Sequence, residues 1–381
     1  MEEKTTPAYI SHVQLKGYKS VRNLNIRLNQ GLNIIIGKNG SGKTNFVEFL
    51  GNIMTFQNKI ETPYNAIVEL KNETECIVFD EKFEGEHLYY EHINKKFSIV
   101  STKIVDKITN IEDEIDMKGV SFVIRKRKNF NKIINPTKIS FSLSAIFETY
   151  MLLELGTISI SSIESGSNVL NILYQSFEKD LFWDLEMDKK FPVTKSVIEE
   201  YLKLNKNLIK NLKKYSSIKD LRLSKSLHIN DENFSKIDVN YIMLEFFVND
   251  EWLTWKQLSD GTKRIFYIIA EINSSYGLVF IEEPENGVHP DQLFLLMDFI
   301  KEQSKEKQII LTTHAPEVLN ILEKDELDNI IITRFDGEKG TQMHHLSEKQ
   351  KKKGQAYMNK IGHLSAFWLH SNLEQYDGTE N

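Results

Sequence analysis

Eight residues, Gly37-Lys38-Asn39-Gly40-Ser41-Gly42-Lys43-Thr44, have the types and spacing to cradle a chain of phosphates. They fit G-x-x-x-x-G-K-[ST], in which glycines let backbone N–H groups curl around phosphate oxygens. Lys43 would neutralise charge at the β- and γ-phosphates, and the Thr44 hydroxyl would be a Mg²⁺ ligand. A second group is acidic. Glu282 and Glu283 follow the apolar run Leu278-Val279-Phe280-Ile281, which sets two carboxylates at the end of a strand. Beside a triphosphate, Glu282 would hold the metal's water shell and Glu283 would polarise an attacking water as general base. His314 closes a third run, Gln308-Ile309-Ile310-Leu311-Thr312-Thr313, at a strand end of the kind where open α/β sheets bind ligands. It reads as a γ-phosphate sensor. A nucleoside triphosphate with Mg²⁺ is the ligand these residues imply.

Such groups need a scaffold, and the flanking patterns supply one. Leu32-Asn33-Ile34-Ile35-Ile36 has the composition of a buried parallel strand, while Phe46, Val47, Phe49 and Leu50 form the apolar stripe of a helix. Strand, glycine-rich turn and helix aim a helix N-terminus at the phosphates. Ile10, Val13 and Leu15 mark one strand before this unit, Leu24, Ile26 and Leu28 another, with a turn at Gly17-Tyr18-Lys19-Ser20. Short alternating runs at 66–70, 76–79, 88–90 and 97–100 predict an antiparallel meander. Later, strands are expected at 241–247, 252–255, 278–281, 308–312 and 330–332. Helices are expected at 265–272, 293–300 and 318–322. Strands alternating with helices imply a parallel sheet with crossovers.

The expected fold is therefore α/β: a P-loop NTPase with a mixed sheet, an antiparallel meander lobe and a mainly helical insertion. Residues 1–105 and 239–345 would form one discontinuous domain around an insertion at 106–238, followed by a helical tail at 346–381. Within the insertion, helical spacing runs through 143–155 and 197–212. Arg125-Lys126-Arg127-Lys128 is its one basic run and reads as a solvated turn or a contact with nucleic-acid phosphates. The tail opens with Lys349, Lys351, Lys352 and Lys353 and carries an aromatic patch at Phe367-Trp368.

The 381 residues are enough for a large core, and 40% hydrophobic with 27% charged residues is ordinary for a globular protein. The net charge of -6 gives the whole molecule no basic field, so nucleic-acid binding would need a local patch. The single cysteine, Cys76, excludes an intramolecular disulfide and a cysteine zinc cluster, and suits a reducing cytoplasm. It reads as core rather than nucleophile. No apolar run has the length of a membrane span, and the N-terminus is unlike a signal peptide.

The set of motifs, in this order, resembles the ABC-type ATPases of the SMC, RecF and OLD (overcoming-lysogenization-defect) group. Leu15-Lys16-Gly17-Tyr18-Lys19-Ser20 and the Gly37–Thr44 loop are similar to that group's opening strand and Walker A. Leu258-Ser259-Asp260-Gly261 resembles its signature loop, Ile281 to Pro290 its Walker B and D-loop, and Thr313-His314-Ala315-Pro316 its switch histidine. Glutamate at 282 and the E-E-P-E-x-x-x-H-P run point to the OLD-like branch. The resemblance implies a head that dimerises face to face, with Ser259, Asp260 and Gly261 reaching the partner's ATP in trans. Higher oligomers stay open. The signature departs from the group's S-G-G-Q, reading S-D-G-T, and Gln57 is a poor match for the Q-loop. The group's nucleases carry a Toprim domain after the ATPase, whose D-x-D-type cluster residues 340–381 lack. The resemblance thus implies an ATPase acting on a separate effector such as a nuclease, similar to the sensor subunits of bacterial anti-phage systems. A nucleotide-gated scaffold with little turnover and a RecF-like DNA-repair ATPase are the alternatives.

Overall fold

The computed structural model describes residues 8–55, 62–72, 75–83, 93–101, 137–139, 157–159, 203–224, 228–233, 236–240, 244–275 and 277–371. The chain divides into two compact units. The first holds Met1–Ile139, Ser275–Pro284 and Ile300–Asn381; the second holds Ser140–Ser274 and Glu285–Phe299.

In the first unit, β1 (Tyr9–Tyr18) and β2 (Val21–Arg27) form a hairpin, and β3 (Leu32–Ile36) leads into α1 (Lys43–Thr55). β4 (Tyr64–Lys71), β5 (Glu75–Phe83) and β6 (Ile93–Ser101) are the expected meander, each antiparallel to its neighbour. β7 (Thr137–Ile139) completes the strands of the first half. The second unit contributes β8 (Thr157–Ser159), β9 (Asp220–Leu223), β10 (His228–Asn233), β11 (Lys236–Asn240), β12 (Leu244–Val248) and β13 (Glu251–Thr254). Its helices are α2 (Lys206–Tyr215) and α3 (Asp260–Ser274). β14 (Leu278–Glu282), α4 (Pro290–Gln303), β15 (Gln308–Thr313), β16 (Ile330–Asp336), β17 (Gly340–His345), α5 (Glu348–Lys360) and α6 (Leu364–His370) follow.

One sheet organises the first unit, in the order β6-β5-β4-β1-β2-β17-β16-β3-β15-β14-β7. From β16 to β7 all pairings are parallel, while from β6 to β16 they are antiparallel. In the parallel half β3 and β15 are buried at every residue, their few polar side chains included, as parallel strands inside an α/β sheet are. In the antiparallel half, β4 alternates buried with more exposed residues. Phe46, Val47, Phe49 and Leu50 of α1 are fully buried, and Phe49 meets Tyr18 and Tyr64 with ring centroids 5.3 Å away in each case. Gln308 acts as a side-chain staple at the start of β15. It accepts from Ile10 N (2.8 Å) and donates to Ile10 O (2.9 Å) and Asn29 O (2.8 Å), satisfying backbone groups that no strand reaches.

In the second unit two three-stranded antiparallel sheets form, β10-β11-β8 and β13-β12-β9. β12 and β13 are joined through Asn249 and Asp250, both at positive φ (51° and 64°), the backbone a two-residue hairpin turn demands. Asn205 caps α2 by accepting from Asn207 N (2.9 Å) and Leu208 N (3.1 Å). That fixes the start of the helix, which buries Leu208, Leu212 and Tyr215.

Several local expectations shift. β1 continues through Tyr18, so the turn is confined to Lys19 and Ser20, with Lys19 at φ 48°. Val318–Leu322, read as a helix, is a 3₁₀ segment over Pro316–Ile321, and Trp255 opens another at Trp255–Gln257 instead of ending a strand. β17 was not anticipated, because Thr341, Gln342, His344 and His345 are polar; its pairing with β16 supplies what its side chains do not signal. The helical expectation at 143–155 and the basic run at 125–128 lie outside the described residues, as does Gln57. Phe367 and Trp368 belong to α6, where Trp368 is buried and Phe367 packs on Tyr357 (5.2 Å).

Candidate functional site

Three strand ends bring the chemistry together. β15 lies between β3 and β14, with Thr313 opposite Ile36 and Thr312 opposite Glu282. The glycine-rich loop begins one residue beyond Ile36, His314 stands one beyond Thr313, and Glu283 one beyond Glu282. Parallel register therefore places three widely separated motifs at one sheet edge. Two backbone bonds lock this edge: Gly37 N donates to Thr313 O (3.3 Å) and Glu283 N to Thr312 O (2.8 Å). Across it, His314 Nδ1 lies 3.5 Å from Glu283 Oε1, with both side chains about one-third exposed (37% and 33%).

The loop itself is shaped for close approach. A Cβ on Gly37 would overlap Thr333 O, and one on Gly42 would overlap Thr341 Oγ1; Gly40 and Gly42 sit at φ 77° and 97°. Lys43 is buried and folds back to donate to Gly37 O (2.7 Å) and Lys38 O (3.1 Å), so its ammonium is held where phosphate oxygens would meet it. Thr44 is exposed in the first turn of α1, as are Lys38, Asn39 and Gly40 in the loop. Ser41 Oγ is buried without a hydrogen-bond partner among the described residues.

Sequence reading missed the layer beneath the loop. Asn45 Nδ2 donates to Ser20 Oγ (2.7 Å), which pairs with Thr341 Oγ1 (2.8 Å), and Thr341 N donates to Ser20 O (2.8 Å). One turn on, Lys19 Nζ meets Glu48 (2.6 Å). That hydrogen bond holds the Lys19 ammonium above its ordinary pKa. Asn45 and Glu48 are three apart and share a helix face, so the β1–β2 turn grips α1 at its start. The adjacency of Asn45 to Thr44 was a visible hint; nothing local marked Thr341.

Ser259, Asp260 and Gly261 lie in the second unit. Ser259 caps α3: its Oγ accepts from Thr262 N (3.2 Å) and pairs with Thr262 Oγ1 (2.9 Å). Lys263 Nζ reaches back to Asp260 (3.3 Å). A Cβ on Gly261 would stand 2.8 Å from Gly287 O, so this glycine is what lets the helix start pack on the loop that follows Glu285. Ser259 and Asp260 remain exposed. Cys76, on β5, is half-buried and free, and burial pushes its thiol up.

Fold and strand-end geometry define a P-loop NTPase of the ABC/SMC-head type. The SMC head bound to the C-winged helix domain of ScpA superposes with a TM-score of 0.53 over 91% of this chain and 99% of that one, at 14% identity. A Smc head domain with an extended coiled coil, bound to the C-terminal domain of ScpA derived from Pyrococcus furiosus, gives 0.51 over 93% and 100%, at 15%. The family described as "AAA domain, putative AbiEii toxin, Type IV TA system" matches residues 159–320, which include Ser259, Glu282, Glu283 and His314. An "ATP/GTP phosphatase" of Helicobacter pylori is 23% identical over 338 residues, 83% of this chain and 88% of that protein. "Endonuclease GajA" of Bacillus cereus is 22% identical over 82% of this chain, which spans 56% of the endonuclease's length. The "Retron Ec83 probable ATPase" of Escherichia coli is 27% identical over 38% of this chain and 30% of its own. In fold and motifs the chain is similar to the ABC-type ATPases of the SMC/OLD-like group.

Proposed function

We propose that two copies close head to head over ATP, that hydrolysis reopens them, and that this cycle controls a separate effector in bacterial defence against phage. The observation that carries the hydrolytic part is the Glu283–His314 pair, 3.5 Å apart at the edge where the P-loop begins. In this reading Gly37 to Thr44 wrap the phosphates and Lys43 leaves its loop carbonyls for the β- and γ-phosphates. Glu283 takes the proton of the attacking water, and His314 senses the γ-phosphate from beside it.

The metal residues fit Mg²⁺. Thr44 offers one oxygen from the first turn of α1 and Glu282 another from the end of β14. Among the described residues no group of three or more His, Cys, Asp or Glu could hold a metal. Mg²⁺ suits such a sparse set, because it keeps several waters and takes the rest of its ligands from phosphates. When bound it would neutralise charge between the β- and γ-oxygens.

The exposed Ser259 and Asp260, with the half-buried Gly261, supply the trans half, at a helix N-terminus where backbone dipoles favour an anion. Relatives named an endonuclease and a retron ATPase support the defence role. Among the described residues no helix is long and apolar enough to cross a membrane. The test is Glu283→Gln. It should slow turnover by about 10²–10⁴-fold and hold an ATP-bound dimer visible by native mass measurement. Turnover at the wild-type rate refutes the general base; slow turnover without dimer refutes the closure.

A further inference from the structure

The lysines of α5 do something the motif reading left unused. Lys349, Lys352, Lys353 and Lys360 are all exposed, and none makes an ion pair among the described residues. At about 100° per residue they fall within an arc of about 100° on one helix face, with exposed Ala356 at its centre. From Lys349 to Lys360 the face runs about 16 Å. The acids nearby are engaged elsewhere. Glu348 and Asp328 both pair with Lys351, which is mostly buried beside them, and Glu326 pairs with Lys301 (2.7 Å). The opposite side of α5 is anchored: Gln350 and Gly354 are buried, and Gln355 donates to Lys324 O (2.8 Å). The capping box of Ser347 and Gln350 fixes its first turn. On a chain of net charge -6, four unpaired cations on one rigid face are a local exception.

We propose that this face of α5 binds the phosphate backbone of duplex DNA. Charge complementarity selects a polyanion, and the remaining features select which one. Duplex DNA carries one charge per about 1.7 Å of axis, so a 16 Å row of four lysines meets several phosphates at once. Single strands are gripped by exposed aromatic platforms. This face presents none: Tyr357 and Phe367 pack on each other, ring centroids 5.2 Å apart. Lysines around an alanine also lack the bidentate groups that read base edges, so binding follows the backbone and not the sequence. The site differs from the basic run at 125–128, the only candidate the sequence offered, and does not depend on the ATP cycle proposed above.

The experiment measures affinity of the full chain for a labelled 30-bp duplex across a salt series, beside a charge-reversed variant carrying Lys349→Glu, Lys352→Glu, Lys353→Glu and Lys360→Glu. Four neutralised phosphates give the wild type a slope of about -3.6 in log affinity against log salt, a loss of about 100-fold between 50 and 200 mM. The variant should lose at least tenfold in affinity and most of that slope, while the four Lys→Arg changes retain both. Basal ATP turnover without DNA and the melting temperature should stay at wild-type values, which separates lost binding from lost folding. A variant that binds the duplex within twofold of wild type overturns the proposal. So does loss of binding only on charge reversal of Arg125 to Lys128, preference for single strands or RNA duplex, or a face that captures an acidic protein and ignores DNA.

Discussion

Replacing Gly42 by alanine tests the loop geometry most directly. Gly42 has φ 97°, and an added Cβ would overlap Thr341 Oγ1 while approaching Thr341 Cγ2 and Ser20 Oγ to 2.8 Å. The backbone strain is worth about 1–3 kcal/mol. Forcing a methyl against packed atoms adds about 1–3 kcal/mol, so the native loop becomes less favourable by roughly 2–6 kcal/mol. If ATP requires that loop, affinity falls roughly 30-fold to about 10⁴-fold. The clash has a named partner, so Thr341→Ala should relieve part of it. Alone, that change removes the Ser20–Thr341 hydroxyl contact at a cost of about 1 kcal/mol. Combined with Gly42→Ala, it should recover about tenfold in affinity, a coupling of the size seen between touching residues. Titration of a fluorescent ATP analogue against the four proteins, with melting curves for each, measures the cycle. Wild-type affinity in Gly42→Ala would sink the loop reading, and strict additivity would show that Thr341 is not what the methyl meets.

Lys43→Ala should abolish ATP binding by the same titration while leaving the melting temperature within a few degrees, since the ammonium it removes donates to the loop carbonyls Gly37 O and Lys38 O. Gln308→Leu leaves Ile10 N and Ile10 O without their buried side-chain partner, while Asn29 O keeps its bond from Asn33 Nδ2, and should destabilise the first unit by about 2–4 kcal/mol in urea unfolding; an unchanged midpoint would contradict the staple. Burial lowers the Lys307 ammonium to about 8. The folded state then binds fewer protons than the unfolded chain between about pH 8 and the ordinary lysine range, so Lys307 weakens the fold below pH 8 and ceases to do so as pH rises above that range. Lys307→Met should therefore raise the melting temperature at pH 7 and lose that advantage at pH 11.

How much of this was legible depended on where the cause of each feature lies. The P-loop, the Glu282–Glu283 pair and His314 were readable because each is a short stretch whose residues do the chemistry and whose flanking strand carries a run of at least three apolar residues. Their convergence followed once the sheet was taken as parallel, since parallel strands align their C-terminal ends. β17 was not readable, because burial of Thr341 and its neighbours is imposed by β16 and β2 and not by their own polarity. The Ser20–Thr341 contact joins residues 321 apart in sequence. No local pattern carries such a pairing. The α5 lysines show the converse: the run was visible as composition, but which of them are free and share a face is a property of helix phase and of the acids that claim Lys351.

Glu283 carries one more piece of information that its sequence neighbourhood conceals. Its φ is 47°, in the left-handed region where a residue with a Cβ is disfavoured by about 1–2 kcal/mol. Glycine or asparagine would sit there with less strain, and a strand merely running into a polar loop would have no reason to refuse them. The surroundings hold the glutamate in place nonetheless. Its N–H donates to Thr312 O at 2.8 Å, one step past the last registered pair of β14 and β15, and its carboxylate meets His314. The backbone is thus bent at the point where the second carboxylate leaves the sheet, and the bend is fixed by the strand that delivers the histidine. Strain that persists because neighbouring structure over-determines it is concentrated at functional sites. The same position that chemistry nominates as the base is the one where local backbone preference is overruled, and these two arguments share no premise.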